Sequence, residues 1–199
     1  MLDNELTMRP HINKISSACL YHLWRLQLLH RLVDRTMMQN IVSAFVISRL
    51  DYCNSILAGL PACVLELLKN NLHTMVRLVA GLGPRDHVRE SMKDLHWLPI
   101  AHRIKFKLYI LMHGAIFGQS LSYIRDLFVP VSEMQDRTHL HSAAGLYDVP
   151  FTRTHFGRRA FSVAAPLEWN SLPDNIRQIP GIRQFKRLLK THYFTEAYS

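Results

Sequence analysis

The side chains that could do chemistry in this chain stand apart from one another. Metal-dependent polymerases and nucleases need converging carboxylates, because Mg2+ takes hard oxygen ligands and must also hold the substrate phosphate. Here the acids occur singly, with no Asp-Asp pair and no DxD; Asp3 and Glu5 alternate only in the opening segment. His139 and His141 form an HxH pair, but without an acid or cysteine at ligand spacing they give a metal little to bind. Gly81 and Gly83 lack both a following Gly-Lys-Ser/Thr and a third, helix-opening glycine, so no phosphate loop is present, and there is no GxSxG. The three cysteines, Cys19, Cys53 and Cys63, are odd in number and form no CxxC. That argues against a disulfide framework or a zinc ribbon and fits a reducing compartment. Cys19 and Cys53 fall on apolar stripes, where a thiol usually packs. The expectation is a chain with no catalytic residue, no metal site and no cofactor.

Charge is the more informative signal. Lys and Arg number 24 against 15 acids, a formal charge of +9 with 12 further histidines, which favours a polyanion as partner. The opening MLDNELTM is acidic where a secretion signal would be basic and apolar, and the longest apolar run, around Leu108–Met112, is too short for a bilayer. The expected setting is intracellular, nuclear or cytoplasmic, with no membrane partner.

Helices must position these charges. From Ile12 the apolar residues Ile15, Cys19, Leu20, Leu23, Leu26 and Leu29 recur at three and four, with Lys14, His22, Arg25, His30 and Arg31 on the other face. A second stripe, Ile41, Val42, Phe45, Val46, Arg49-Leu50, Cys53 and Leu57, stops at Gly59 and Pro61. A third, Leu65, Leu68, Leu72, Met75, Val76 and Val79, closes at Gly81 and Gly83. Three helices over residues 12 to 80 predict a bundle. The segment from Arg85 to Gly118 predicts a short helix capped by Asp86, a buried Trp97, and a long helix begun by Pro99. That helix buries Ile100, Ile104, Leu108, Leu111, Met112 and Ala115 and turns His102, Arg103, Lys105 and Lys107 outward. Beyond it come a short helix over 120–129 with Tyr123, Ile124 and Leu127 inward, a loop over 131–145, and a brief extended segment near 146–151. An apolar cluster of Phe161, Val163, Leu167 and Trp169 follows, with Gly157 supplying an unusual backbone angle. A last helix over 182–194 buries Phe185, Leu188, Leu189 and Tyr193. The fold class is therefore mainly α: a helical bundle over 1–80, a second helical layer over 81–130, and a loop-rich tail with a C-terminal helix over 131–199.

Four strings, SRLDYCNSILAGLP (48–61), RDHVRESMKDLHWLPIAHRIKFKL (85–108), FGRRAFSVAAPLEWNSLP (156–173) and FKRLLKTHYF (185–194), together resemble the C-terminal part of reverse transcriptases from non-LTR retrotransposons of the jockey and chicken-repeat kind. The resemblance covers nearly the whole chain, with its motifs in order. It implies that residues 12 to 80 are the helical thumb and the remainder is the tail that follows it. The family's palm aspartate, its aromatic-Ala-Asp-Asp motif and its endonuclease have no counterpart here, so no catalytic residue carries over, and a truncated copy is expected. What the resemblance does imply is phosphate contact by the thumb, for which Arg25, Arg31, Arg35 and Arg49 are the candidates, with Lys105 and Lys107 in addition.

The expected activity is thus non-specific binding of an RNA or DNA backbone without chemistry. The alternative is a structural or protein-interaction relic, self-associating through the surface left by the missing palm. Base recognition is not expected, because the aromatic residues fall on stripes read as buried, leaving no exposed stacking platform.

Overall fold

The computed structural model describes residues 7–133 and 145–199. His139 and His141, Asp3 and Glu5, and most of the loop expected over 131–145 lie outside the described residues. The protein is mainly helical, as its periodicity predicts, and no strand occurs among the described residues. Two compact units emerge, one formed by 1–54, 60–103 and 198, the other by 55–59, 104–197 and 199.

In the first unit, α1 (Arg9–Leu29) begins with Pro10 in its first turn, where the missing N–H removes no helix bond. It buries Ile12, Ser16, Cys19, Leu23 and Leu26 and packs on α4 (Ala62–Ala80), while Leu20 and Leu29 of the expected stripe face solvent. Between them, α2 (Arg35–Val42) starts where the Asp34 carboxylate accepts the Met37 N–H at 2.7 Å. A π turn at Ser43–Ile47 leads directly into α3 (Ser48–Asp51), making one helical run with a widened turn inside it. The run ends earlier than the stripe suggested, because Tyr52 is extended and Cys53 sits at φ +54. Cys53 is exposed as a result; Phe45, within the π turn, is exposed as well, whereas Val42, Val46 and Leu50 are buried. α4 follows the predicted stripe, burying Leu68, Leu72, Met75, Val76 and Val79, and closes on Gly81 at φ +67, a left-handed cap natural to glycine.

Asp86 does not cap the next helix. Its carboxylate instead accepts the Gly83 N–H at 2.7 Å, and α5 (Arg89–Asp94) starts at Val88 with no side-chain cap. Trp97 is only 6% exposed, as its place in the sequence predicts. Tyr198, grouped with this unit, donates its hydroxyl to the Trp97 carbonyl at 2.5 Å.

α6 (Ile100–Ile116) buries Ile100, Ile104, Leu108, Met112 and Ala115, joined by Tyr109 and His113. In the second unit His113 is fully buried, stacked on Phe185 at 4.3 Å and close to Phe117 at 4.5 Å. Its Nε2 donates to the Ile179 carbonyl at 2.8 Å. Tyr109 and Tyr193 share a buried hydroxyl contact at 2.7 Å. α7 (Ser122–Arg125) is a single turn. Tyr123 and Leu127 face solvent there and Phe128 is buried instead, reversing the expected inward set. Tyr147 lies in the segment expected to be extended and makes one antiparallel bridge to Pro130.

The region read as an apolar cluster is a helix, α8 (Phe161–Ser171), with Pro166 inside it. A proline removes one helix N–H and argues against a helix in sequence reading. Burial of Val163, Ala164, Ala165 and Trp169 offsets that loss, while Leu167 is exposed. Gly157 has no positive φ. Space is tight there instead, since an added Cβ would stand 3.1 Å from both Thr152 Cβ and Thr154 Oγ1 and the threonine side chains would have to give way. α9 (Asp174–Arg177) and α10 (Ile182–Tyr198) complete the unit, with Phe185, Leu189 and Tyr193 on the buried side of α10 and Leu188 half-buried.

Candidate nucleic-acid interface

Between Arg9 and Leu50 the chain carries six Lys or Arg residues, Arg9, Lys14, Arg25, Arg31, Arg35 and Arg49, and one acid, Asp34. That acid is already engaged in capping α2. Asp51, which ends α3, is taken up by Arg103; Arg25, Arg31, Arg35 and Arg49 are exposed, and none of them forms an ion pair among the described residues.

Two of these arginines neighbour the same imidazole. The charges of Arg49 and Arg25 both reach His22, whose pKa is pushed down first by partial burial and then by these two neighbours. The π turn helps to fix Arg49: its Nε donates to the Phe45 carbonyl at 3.1 Å, which tethers an otherwise exposed side chain. Arg25 lies over the Tyr21 ring at 5.7 Å from the centroid, with Nη1 at 3.5 Å from the Tyr21 hydroxyl. A guanidinium on an aromatic face is held by the ring quadrupole without losing its charge. Arg31 and Arg35 flank the α1–α2 turn, both exposed.

Around these cations stand aromatic rings that sequence reasoning placed inside. Tyr21 is 56% exposed, Trp24 63% and Phe45 54%. His22 meets Tyr21 edge-on at 5.5 Å and Phe45 at 6.4 Å, so these three rings adjoin, and Trp24 lies one turn along α1 from Tyr21. The expectation that the aromatic residues lie buried is thereby corrected for these three. A signal for it was present: α1 carries two apolar stripes, Ile12, Ser16, Cys19, Leu23 and Leu26 inward, and Tyr21, Trp24 and Leu28 at i, i+3 and i+7 outward.

The lysines belong to the other unit. Lys107 is exposed on α6, but Lys105 is held by Glu168 at 3.0 Å, and the same carboxylate oxygen lies 3.3 Å from the Tyr109 hydroxyl. Arg103, also read as outward-facing, forks onto Asp51 in the first unit. On α10, Arg183, Lys186, Arg187 and Lys190 form a second exposed basic face, and Arg183 and Arg187 line an open depression.

Burial raises the Cys19 thiol to about 11, which suits a packing role. Among the described residues no three His, Cys, Asp or Glu side chains gather as metal ligands would, and no helix is long and apolar enough to cross a membrane. No family model matches the chain, and neither a curated protein nor a solved structure does.

Proposed function

We propose that this chain is a non-catalytic counterpart of the thumb and tail of a non-LTR retrotransposon reverse transcriptase, holding an RNA or DNA backbone without reading its sequence. The observation that carries the reading is that Arg25, lying over Tyr21, and Arg49, tethered to the Phe45 carbonyl, are both exposed beside the His22–Phe45 ring contact and form no ion pair among the described residues. Two guanidiniums held in place and unopposed suit phosphate oxygens, and each such contact releases counterions from the strand. The scattered carboxylates motivate the absence of polymerase or nuclease chemistry in this proposal.

The test is a salt titration of binding to a primed RNA template. Affinity falls steeply with salt, with a dissociation constant on the order of 10⁻⁴ to 10⁻⁶ M near physiological ionic strength. Replacing Arg25 and Arg49 by Ala lowers the slope by about one to two units. No binding at low salt would overturn the proposal. It would favour a second reading, a protein-interaction relic, for which the exposed Leu28, Leu32 and Met37 are the specific observation.

A further inference from the structure

The solvent side of α1 is unusual in its composition. Tyr21, Trp24, Arg25 and Leu28 occupy i, i+3, i+4 and i+7, a spacing that normally faces a core, and here all four are exposed. Phe45 extends the surface across His22 at 6.4 Å. A patch of this kind marks a contact surface for some partner. Which partner is decided by charge. α1 contains no Asp or Glu, and the one acid between Arg9 and Leu50 is tied to the Met37 N–H. A second copy docking face to face would set arginine against arginine, which is unfavourable, whereas a polyanion with apolar faces of its own would satisfy both halves of the surface.

Unpaired nucleotides have that character: each carries a phosphate and a flat π face. In a duplex the base faces are stacked on one another and only edges are offered, so Trp24 and Tyr21 would gain little from it. We infer that this aromatic-cationic face binds single-stranded nucleic acid, with Tyr21 and Trp24 stacking unpaired bases while Arg25 and Arg49 hold the flanking phosphates. The inference rests on the backbone-binding reading and narrows it to a strand form. Stacking of this kind tolerates any base, so sequence preference stays slight. Arg25, already lying over Tyr21, keeps the ring oriented and can remain beside a stacked base through its own planar face.

Tryptophan emission gives a direct readout, because Trp24 is exposed while Trp97 and Trp169 are 6% and 1% exposed. Titrating the full chain with unlabelled oligouridylate or oligothymidylate quenches emission in the wild type and leaves Trp24→Phe largely unquenched. In anisotropy measurements with labelled strands, Trp24→Ala and Tyr21→Ala each weaken single-strand binding about 5- to 100-fold with the salt slope unchanged, and leave binding of a blunt duplex of equal length where it was. Both positions are exposed, so thermal melts of the variants should overlay the wild type and exclude misfolding. Wild-type single-strand affinity in Trp24→Ala and Tyr21→Ala, with the slope still reduced in the Arg25/Arg49 double variant, would overturn stacking and leave backbone binding intact. No binding of either strand form would remove both. A concentration-dependent dimer abolished by Trp24→Ala, without change in single-strand binding, would assign the face to a second copy and overturn the inference.

Discussion

Arg103 grips Asp51 with two parallel hydrogen bonds, Nε to Oδ1 at 2.8 Å and Nη2 to Oδ2 at 2.7 Å. The two residues lie 52 positions apart in sequence, so the pair closes α3 onto the start of α6 within the first unit. The guanidinium side is the more buried, with its side chain 15% exposed against 42% for Asp51. Asn54 leans on the same carboxylate through Nδ2 at 3.4 Å.

Removing the acid is therefore expected to cost more than an exposed ion pair would. Asp51→Ala leaves a partly buried guanidinium without its charged acceptor, and the expected loss is about 1.5 to 3 kcal/mol. Asp51→Asn keeps one acceptor and should lose less. Urea unfolding monitored by circular dichroism measures both; a loss below about 0.5 kcal/mol for Asp51→Ala would show that the fork contributes no more than a surface pair.

Stability should be greatest on a plateau bounded by histidine on the acid side and by Cys19 and tyrosine on the alkaline side. His11, His22, His73 and His113 all have pKa values pushed below the ordinary 6.5, with burial the largest cause in each. A histidine held neutral in the fold contributes stability that is complete above 6.5 and is lost as pH falls toward its depressed folded value. His113 shows why. A carbonyl only accepts, so Nε2 carries the hydrogen given to Ile179, and Nδ1 is left buried without a partner; protonating it would bury a charge near Lys186. On the alkaline side, burial raises Tyr109 and Tyr198 to about 12 and Tyr193 higher still. Their contribution is complete below the ordinary value of 10 and is lost as pH rises through the folded values. Cys19, raised by burial from the ordinary 9.0 to about 11, begins the alkaline loss first, so melting temperature against pH should be flat between about 6.5 and 9 and fall on both sides. A curve that keeps rising below pH 6 would contradict the histidine half.

Gly59 tests a purely steric requirement. It sits at φ +70, and an added Cβ would lie 3.0 Å from Arg159 Cγ in the same unit. Gly59→Ala combines the left-handed penalty with a displaced arginine, for an expected loss of about 1 to 2 kcal/mol. Gly81→Ala has the same backbone sign, φ +67, with nothing within 4 Å, and should lose only the conformational part. Equal losses at Gly59 and Gly81 would mean that Arg159 yields freely.

These sites show what the sequence made legible. Periodicity located α1, α4, α6 and α10 and the inward positions of most of them, because long helices repeat the same choice many times. It failed where one residue decides. Cys53 at φ +54 ends α3 early and exposes a position the stripe had buried. Pro166 disguised α8, whose core side chains outweigh one missing hydrogen bond. At the candidate interface, Arg25 was legible as a cation on a solvent face and Arg49 only through the family resemblance, but Tyr21, Trp24 and Phe45 were not. Apolar residues were assumed to mean core, although α1 holds more of them than a single buried stripe can use. The ties of Lys105 to Glu168 and of Arg103 to Asp51 depend on partners 63 and 52 positions away, beyond any local pattern.

Those distant partners separate the two α6 lysines, which the sequence alone treats as equivalent. Lys107 is exposed and free to meet a phosphate, whereas Lys105 already faces the Glu168 carboxylate at 3.0 Å, and that carboxylate also lies beside the Tyr109 hydroxyl. A lysine must give up its carboxylate to neutralise a phosphate, so its net release of counterions is small. If α6 touches the strand, Lys107→Ala should lower the salt slope of binding by about one unit, and Lys105→Ala should leave it nearly unchanged. Glu168→Gln supplies the converse, since removing the competing charge should raise affinity at low salt and steepen the slope. The measurement is the log-log salt dependence of binding for the three single variants against the wild type. Equal reductions for Lys105→Ala and Lys107→Ala would show that Glu168 releases Lys105 on binding. No change in any of the three would confine the backbone contacts to other cations, leaving Arg25 and Arg49 as the pair to account for them.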